Sequence, residues 1–199
     1  MIPVTFDEKN HRYIDERGNV IPHWSHLAKH FGLVDYSMVD KATLESSAKF
    51  GRVVHETCAM YDMGELASCD PEVEPYLDGW KRFLSDLNPK FKAIEIPLAS
   101  RVWGFAGTPD RVYKVSRDGI LDIKTGAPVP VTDLQTAAYQ ILVEENLGLA
   151  IKERITIKLV PGEYRLIQHK DRNDINTVKG MLALYRWKCQ NGLIKGDGE

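Results

Sequence analysis

Cysteine is scarce: Cys58, Cys69 and Cys189 form neither a CxxC pair nor a Cys/His finger. That excludes a disulfide scaffold and reads as three reduced thiols, small apolar side chains of an intracellular protein. No apolar run approaches the length of a membrane span, and the opening MIPVTFDEKN has neither a basic stretch nor an apolar one. A cytoplasmic protein with no membrane partner is expected. Charge of one sign is missing too. Lys and Arg number 26 against 28 Asp and Glu, a net charge of -2, which excludes gripping a polyanion by bulk positive charge but leaves room for a local basic groove. Repeats, low-complexity tracts and Pro/Gly/Ser-rich linkers are absent as well, so 199 residues with 43% hydrophobic side chains read as one domain over 1–199.

The basic side chains that are present are unevenly placed. Residues 1–100 hold 11 Lys and Arg against 16 Asp and Glu, whereas residues 150–199 hold 10 against 6. One C-terminal face could follow a phosphate backbone, although solvated surface charge explains any one of these side chains equally well. Residues 1–40 predict an addition to the core: a hairpin, 4–6 against 12–14, and a short helix over 25–31 stopped by Gly32. Asp40 caps a helix running to Met63 and ended by Gly64, on which Leu44, Ala48, Gly51, His55 and Cys58 share a face. A second helix spans 71–87, before Asn88-Pro89. The period then becomes strand-like over 92–98, 102–106, 109–115 and 119–124, with three antiparallel neighbours as the simplest pairing. A helix over 131–147 capped by Thr132, strands over 154–160 and 164–169, and a helix over 173–190 complete the order. The fold class is α/β of the mixed α+β kind, a central mixed sheet flanked by helices.

Chemistry first shows in Gly119-Ile120-Leu121-Asp122-Ile123-Lys124. Strand alternation puts Asp122 and Lys124 on one face and Leu121 and Ile123 on the other. An acid and a lysine on an otherwise apolar strand are costly unless paired or used, and their mutual salt bridge is the plain alternative. Asp110, in Gly107-Thr108-Pro109-Asp110-Arg111, lies one strand earlier. A hairpin turning near Asp118 brings it alongside Asp122. Two carboxylates that close repel unless a proton or a divalent cation sits between them. With Lys124 adjacent, a cation completes a site for phosphate oxygens. His55, one turn after Gly51, is a candidate third ligand, although a lone helical histidine is more often a core or surface residue. Gln135 and Tyr139, four apart, point back toward the end of the Asp122 strand. Thr132-Asp133-Leu134-Gln135 also matches a capping box, and Tyr139 an ordinary half-buried aromatic. Trp24, Tyr36, Tyr61 and Trp103 are candidates for stacking unpaired bases, with packing the plainer reading.

Together, Gly51-x-x-x-His55-Glu56, Pro109-Asp110, Asp122-Ile123-Lys124 and Gln135-x-x-x-Tyr139 resemble the motifs of the PD-(D/E)xK nucleases, in particular the RecB-type and phage exonuclease-like branch. The resemblance implies a restriction-endonuclease-like core and a metal-dependent DNA nuclease, an exonuclease acting on DNA ends with single strands preferred. It implies His55, Asp110, Asp122 and the Ile123 carbonyl as metal ligands. Lys124 would position the attacking water and offset developing charge, and Gln135 and Tyr139 would orient Lys124 or the scissile strand. Glu56 and Glu95 are candidates for a second metal or for support of the ligands, and Arg52 and Arg111 for phosphate contacts. The acids suit Mg²⁺, with Mn²⁺ substituting because of the imidazole. An iron–sulfur cluster, carried by some relatives, would need four cysteines and is excluded. No GxxxxGK[ST] loop is present, so unwinding would come from a helicase partner; a single-strand-binding or annealing protein is a further expected partner beside DNA itself. The expected compartment is the cytoplasm of a bacterial or phage-infected cell. The alternatives are a structure-specific or nonspecific endonuclease with the same site, a non-catalytic nucleic-acid-binding protein keeping the fold, and a metallohydrolase of small phosphate esters.

Overall fold

The computed structural model describes residues 2–35, 37–126 and 131–195, so that Tyr36, one of the stacking candidates, lies outside the described residues. The N-terminal hairpin forms as expected from β1 (Val4–Asp7) and β2 (Arg12–Asp15), and β3 (Val20–Ile21) adds a third antiparallel strand too short to announce itself in sequence. After α1 (Trp24–His30) comes α2 (Lys41–Met63), with both expected caps: Asp40 accepts the Thr43 N–H at 3.0 Å, and Gly64 takes φ 75. Its first turns stand clear of the protein. Ala48 is exposed, and α2 joins the core only from Phe50 onward.

α3 (Glu74–Leu87) begins three residues after Pro71 because Asp70 builds a turn there, accepting the Glu72 N–H on its side chain and the Val73 and Glu74 N–H groups on its carbonyl. Gly79 lets this helix lie on the sheet edge; a Cβ there would sit 2.3 Å from the Glu163 carbonyl oxygen.

Five strands follow: β4 (Lys90–Ile94), β5 (Leu98–Ser100), β6 (Phe105–Gly107), β7 (Arg111–Lys114) and β8 (Asp118–Lys124). The strand expected over 92–98 is broken at Glu95, whose φ is 46. Its first part pairs with β7, while its last turns away to make a separate two-stranded ladder with β6. The chain then runs through α4 (Val131–Leu147), β9 (Glu153–Val160), β10 (Glu163–Gln168) and α5 (Asn173–Gln190). Thr132 lies inside α4, and among the described residues its buried hydroxyl has no partner, so it does not cap this helix.

The main sheet has the order β10-β9-β8-β7-β4, antiparallel except between β8 and β9, where α4 supplies the crossover. The expected α/β class, a mixed sheet covered by helices, is the fold observed. Alternation along β8 sorts the two cores. Ile120 packs with Leu27, Leu142 and Leu182 of α1, α4 and α5, whereas Leu121 and Ile123 pack with Val54, Leu77, Trp80 and Phe83 of α2 and α3. Cys58 is buried and Cys69 and Cys189 partly so, all three as free thiols. Among the described residues no helix is long and apolar enough to cross a membrane.

Candidate active site

Strand register sets the site. Arg111 pairs with Leu121 across β7 and β8, which brings Asp110, just before β7, level with Asp122. Asp110 Oδ2 accepts the Ile123 N–H at 2.6 Å. From α2 comes His55, its Nδ1 3.5 Å from Asp110 Oδ2 and 4.0 Å from Glu95 Oε1. The left-handed residue at the β4 break is Glu95 itself, whose N–H goes to the Asp110 carbonyl at 3.0 Å. His55, Glu95 and Asp110 thereby each offer a ligand atom within 4.8 Å of one another. One imidazole nitrogen and two carboxylates at that spacing are a donor set for a divalent cation.

The charges bear the marks of crowding. Burial and the Asp110 carboxylate push Glu95 up to about 7, against the opposing pull of His55 and Arg111. Burial also raises Asp110, but His55, Lys124 and the Ile123 N–H outweigh it and hold this carboxyl below its ordinary range. For His55, burial favours the neutral ring, yet Asp110 and Glu95 lift its pKa above the usual value. A cation among these groups would relieve the repulsion between the two acids, so the residues present fit one.

Beside this group runs a chain of hydrogen bonds. Lys124 Nζ lies 3.0 Å from Asp122 Oδ1, 2.9 Å from Asp122 Oδ2 and 3.1 Å from Gln135 Oε1, and Gln135 Nε2 donates to Tyr139 Oη at 3.0 Å. The Gln135 amide is therefore committed to Lys124 and Tyr139. Gly107 makes room for that ring; a Cβ there would meet Tyr139 Cε1 at 2.9 Å. Asp122 is fully buried, and burial, opposed by Lys124 and reinforced by Asp110, pushes its carboxyl up to about 6. It lies outside the 4.8 Å group, and its carboxylate is paired with Lys124. Gly51 is not required by close packing: a Cβ there would reach Thr125 Oγ1 at 3.6 Å, ordinary contact.

Three other candidates take no place in this group. Glu56 is exposed, about 100° around α2 from His55. Arg52 is exposed one turn before His55. Arg111, read as a phosphate contact, is completely buried and cannot make one. Its Nε donates to Asp62 at 2.7 Å and its Nη1 to Glu95 at 3.1 Å and to the Asp110 carbonyl at 2.7 Å, while its guanidinium lies over Trp80 and Phe91. Arg111 thus holds Glu95, and Asp62, which also accepts the Trp80 indole N–H at 2.9 Å, holds Arg111. Sequence reasoning missed Asp62, although its place seven residues after His55 puts both on one helix face.

A row of rings adjoins the site. Tyr13 Oη meets Thr108 Oγ1 at 2.8 Å, two residues before Asp110. Its ring packs on Phe6 and His23, and ring contacts 4.9–6.4 Å apart lead from His11 through His23 to His26, then to Tyr185 and His30. Of the sequence's stacking candidates, Trp24 is buried, while Tyr61 and Trp103 lie under Lys81 and Lys179.

No family model matches the sequence, and none of the curated proteins compared with it matches either. Solved structures do match. A protein of Eubacterium rectale with a provisional exonuclease assignment aligns at a TM-score of 0.50 and 14% identity, over 75% of this chain and 70% of that one. LHK-Exo, crystallised with dAMP, aligns at a TM-score of 0.38 and 14% identity, over 71% of this chain and 80% of its own. With its five-stranded mixed sheet and its flanking helices, the chain shares the fold of the first of these structures.

Proposed function

We propose that the chain is a metal-dependent deoxyribonuclease that hydrolyses phosphodiester bonds, acting as an exonuclease on DNA ends with single strands preferred. One observation carries the reading: His55, Glu95 and Asp110 converge on one small volume, with the Lys124 ammonium anchored beside it by Asp122 and Gln135. A binding-only module gains nothing from crowding two acids there. An exonuclease-like fold supports the same reading.

His55, Glu95 and Asp110 would hold Mg²⁺ or Mn²⁺, and Asp122 and the Ile123 carbonyl are the further ligands that the motif resemblance implies. The ion would supply Lewis acidity toward phosphate and water. Lys124 offers a fixed positive charge to the negative charge that develops on the phosphoryl group. Asp122 and Gln135 keep that ammonium from swinging into solvent, and Tyr139 fixes the Gln135 amide. Arg111 keeps Glu95 turned toward His55. Such a preorganised site is needed because uncatalysed phosphodiester hydrolysis is slow enough to demand barrier reduction on the order of 20 kcal/mol.

The test is incubation of the protein with end-labelled linear and circular DNA, single- and double-stranded, in Mg²⁺ or Mn²⁺, beside Lys124→Ala and Asp110→Ala. Shortening from one end, lost in both variants, is expected. Cutting of circular single strands would replace the exonuclease mode with an endonuclease one. Absence of metal-dependent cleavage on every substrate would overturn the reading.

A further inference from the structure

Cleavage chemistry makes no use of the row of rings beside the site. We propose that His11 and His23, together with Arg52, form a subsite for an unpaired base and its phosphate, so that the row guides single-stranded nucleic acid toward the metal centre. The role in guiding a substrate rests on the nuclease reading; the binding itself does not.

Its support is geometric. The row is joined to the site, since Tyr13, in ring contact with Phe6 and His23, is hydrogen-bonded to Thr108 just ahead of Asp110. His11 is exposed at the hairpin tip, where its φ of 50 puts it in the left-handed region. Its ring stands edge-on to Phe6 at 5.2 Å and to His23 at 4.9 Å.

Arg52 is the cation this surface needs. It is exposed and lies one turn before His55 on α2, and partial burial of the His11 ring, with the Arg52 charge adding to it, lowers the imidazole's pKa. Burial, with His11 and His26 nearby, pulls His23 down to about 4. Both rings are therefore uncharged near neutral pH and present aromatic surface next to a guanidinium, the combination by which proteins hold single strands without reading sequence. Of the two acids at the tip, Asp7 accepts from both the Asn10 backbone N–H and its side-chain amide, and the Glu8 carbonyl accepts the His11 N–H.

The test is fluorescence anisotropy in EDTA, where no cleavage occurs, using a labelled 12-mer of thymidylate and an abasic strand of the same length. Three variants are compared: His11→Ala, His11→Phe and Arg52→Ala. Base stacking predicts that His11→Ala weakens binding of the thymidylate strand about tenfold but of the abasic strand less than twofold, with His11→Phe restoring most of the loss. Arg52→Ala should weaken both strands alike and reduce the salt slope by about one. Unchanged affinity in His11→Ala, equal losses on the two strands, or no strand binding by the wild type would each overturn the subsite. Cleavage is measured separately on the wild type in Mn²⁺. Binding that responds as stated without any cleavage leaves the subsite standing and removes the nuclease reading; cleavage with binding indifferent to His11 does the reverse.

Discussion

Replacing Asp62 by Ala tests how the site is supported from behind. The Asp62 and Arg111 side chains are 1% and 0% exposed, and the guanidinium lies over the Trp80 and Phe91 rings. Removing the carboxylate leaves a charge in apolar surroundings and takes the acceptor from the Trp80 indole. Breaking a buried pair from one side costs about 3–5 kcal/mol. Because Glu95 and the Asp110 carbonyl still accept from Arg111, the lower end, about 3 kcal/mol, is expected. In a chain of this size that is a fall in Tm of about 6–12 °C. Burial raises the Asp62 carboxyl more than Arg111 and Trp80 lower it, so the pair has not recovered its own desolvation. An acid held above its unfolded pKa weakens the fold as pH rises from the unfolded value through the folded one. The double replacement Asp62→Leu with Arg111→Met should therefore regain more than half of the loss, even as it releases Glu95. Urea unfolding followed by tryptophan fluorescence measures both. A loss under about 1 kcal/mol in Asp62→Ala, or a double variant less stable than the single, would refute the reasoning.

Gly79→Ala must push α3 off the Glu163 carbonyl and should cost about 2–3 kcal/mol, whereas Gly180→Ala, in α5 with nothing near its added Cβ, should gain about 0.5–1 kcal/mol; urea midpoints decide both. His23, near 4 when folded, contributes stability that is complete above the unfolded value of about 6.5 and is lost as pH falls toward 4. After allowing for its partial exposure the loss should be about 1–2 kcal/mol, read as a Tm–pH slope that His23→Phe flattens. Mn²⁺ at a hundred times its Kd should stabilise the fold by about 2.7 kcal/mol, and thermal shift should show this gain vanish in Asp110→Asn. If the protein cleaves DNA, Lys124→Met should lower kcat about 10²–10³-fold and Gln135→Ala by less; equal losses would mean that Gln135 does more than hold the ammonium.

Periodicity, with the Asp40 cap and the stop at Gly64, is enough to read α2; α4 is read from its apolar residues and the stop at Gly148 although Thr132 does not cap it, and α5 from periodicity alone. Periodicity is not enough at Glu95. Nothing in Lys92-Ala93-Ile94-Glu95-Ile96 marks a left-handed residue, so 92–98 reads as one strand, and the turn that carries Glu95 back to Asp110 comes from tertiary pairing with β7. For Gln135 two local rules competed. The capping box and the four-residue step to Tyr139 are both written in the sequence, and only the place of Lys124, eleven residues earlier, decides for the second.

Arg111 went the other way, and its fate was the more legible of the two. Val112 packs with Ile120 on the α4 face, so alternation sends Arg111 and Tyr113 to the opposite face, the apolar layer that Leu121 and Ile123 share with α2 and α3. A guanidinium sent into such a layer requires an acid there. Of the helical acids, Asp62 repeats the position of His55 two turns on. The same face of α2 that lends His55 to Asp110 therefore has to supply the counter-charge for Arg111. The candidate metal group and the buried ion pair are two consequences of one helix lying across the ends of β7 and β8, and a substitution that displaced α2 would disturb both at once.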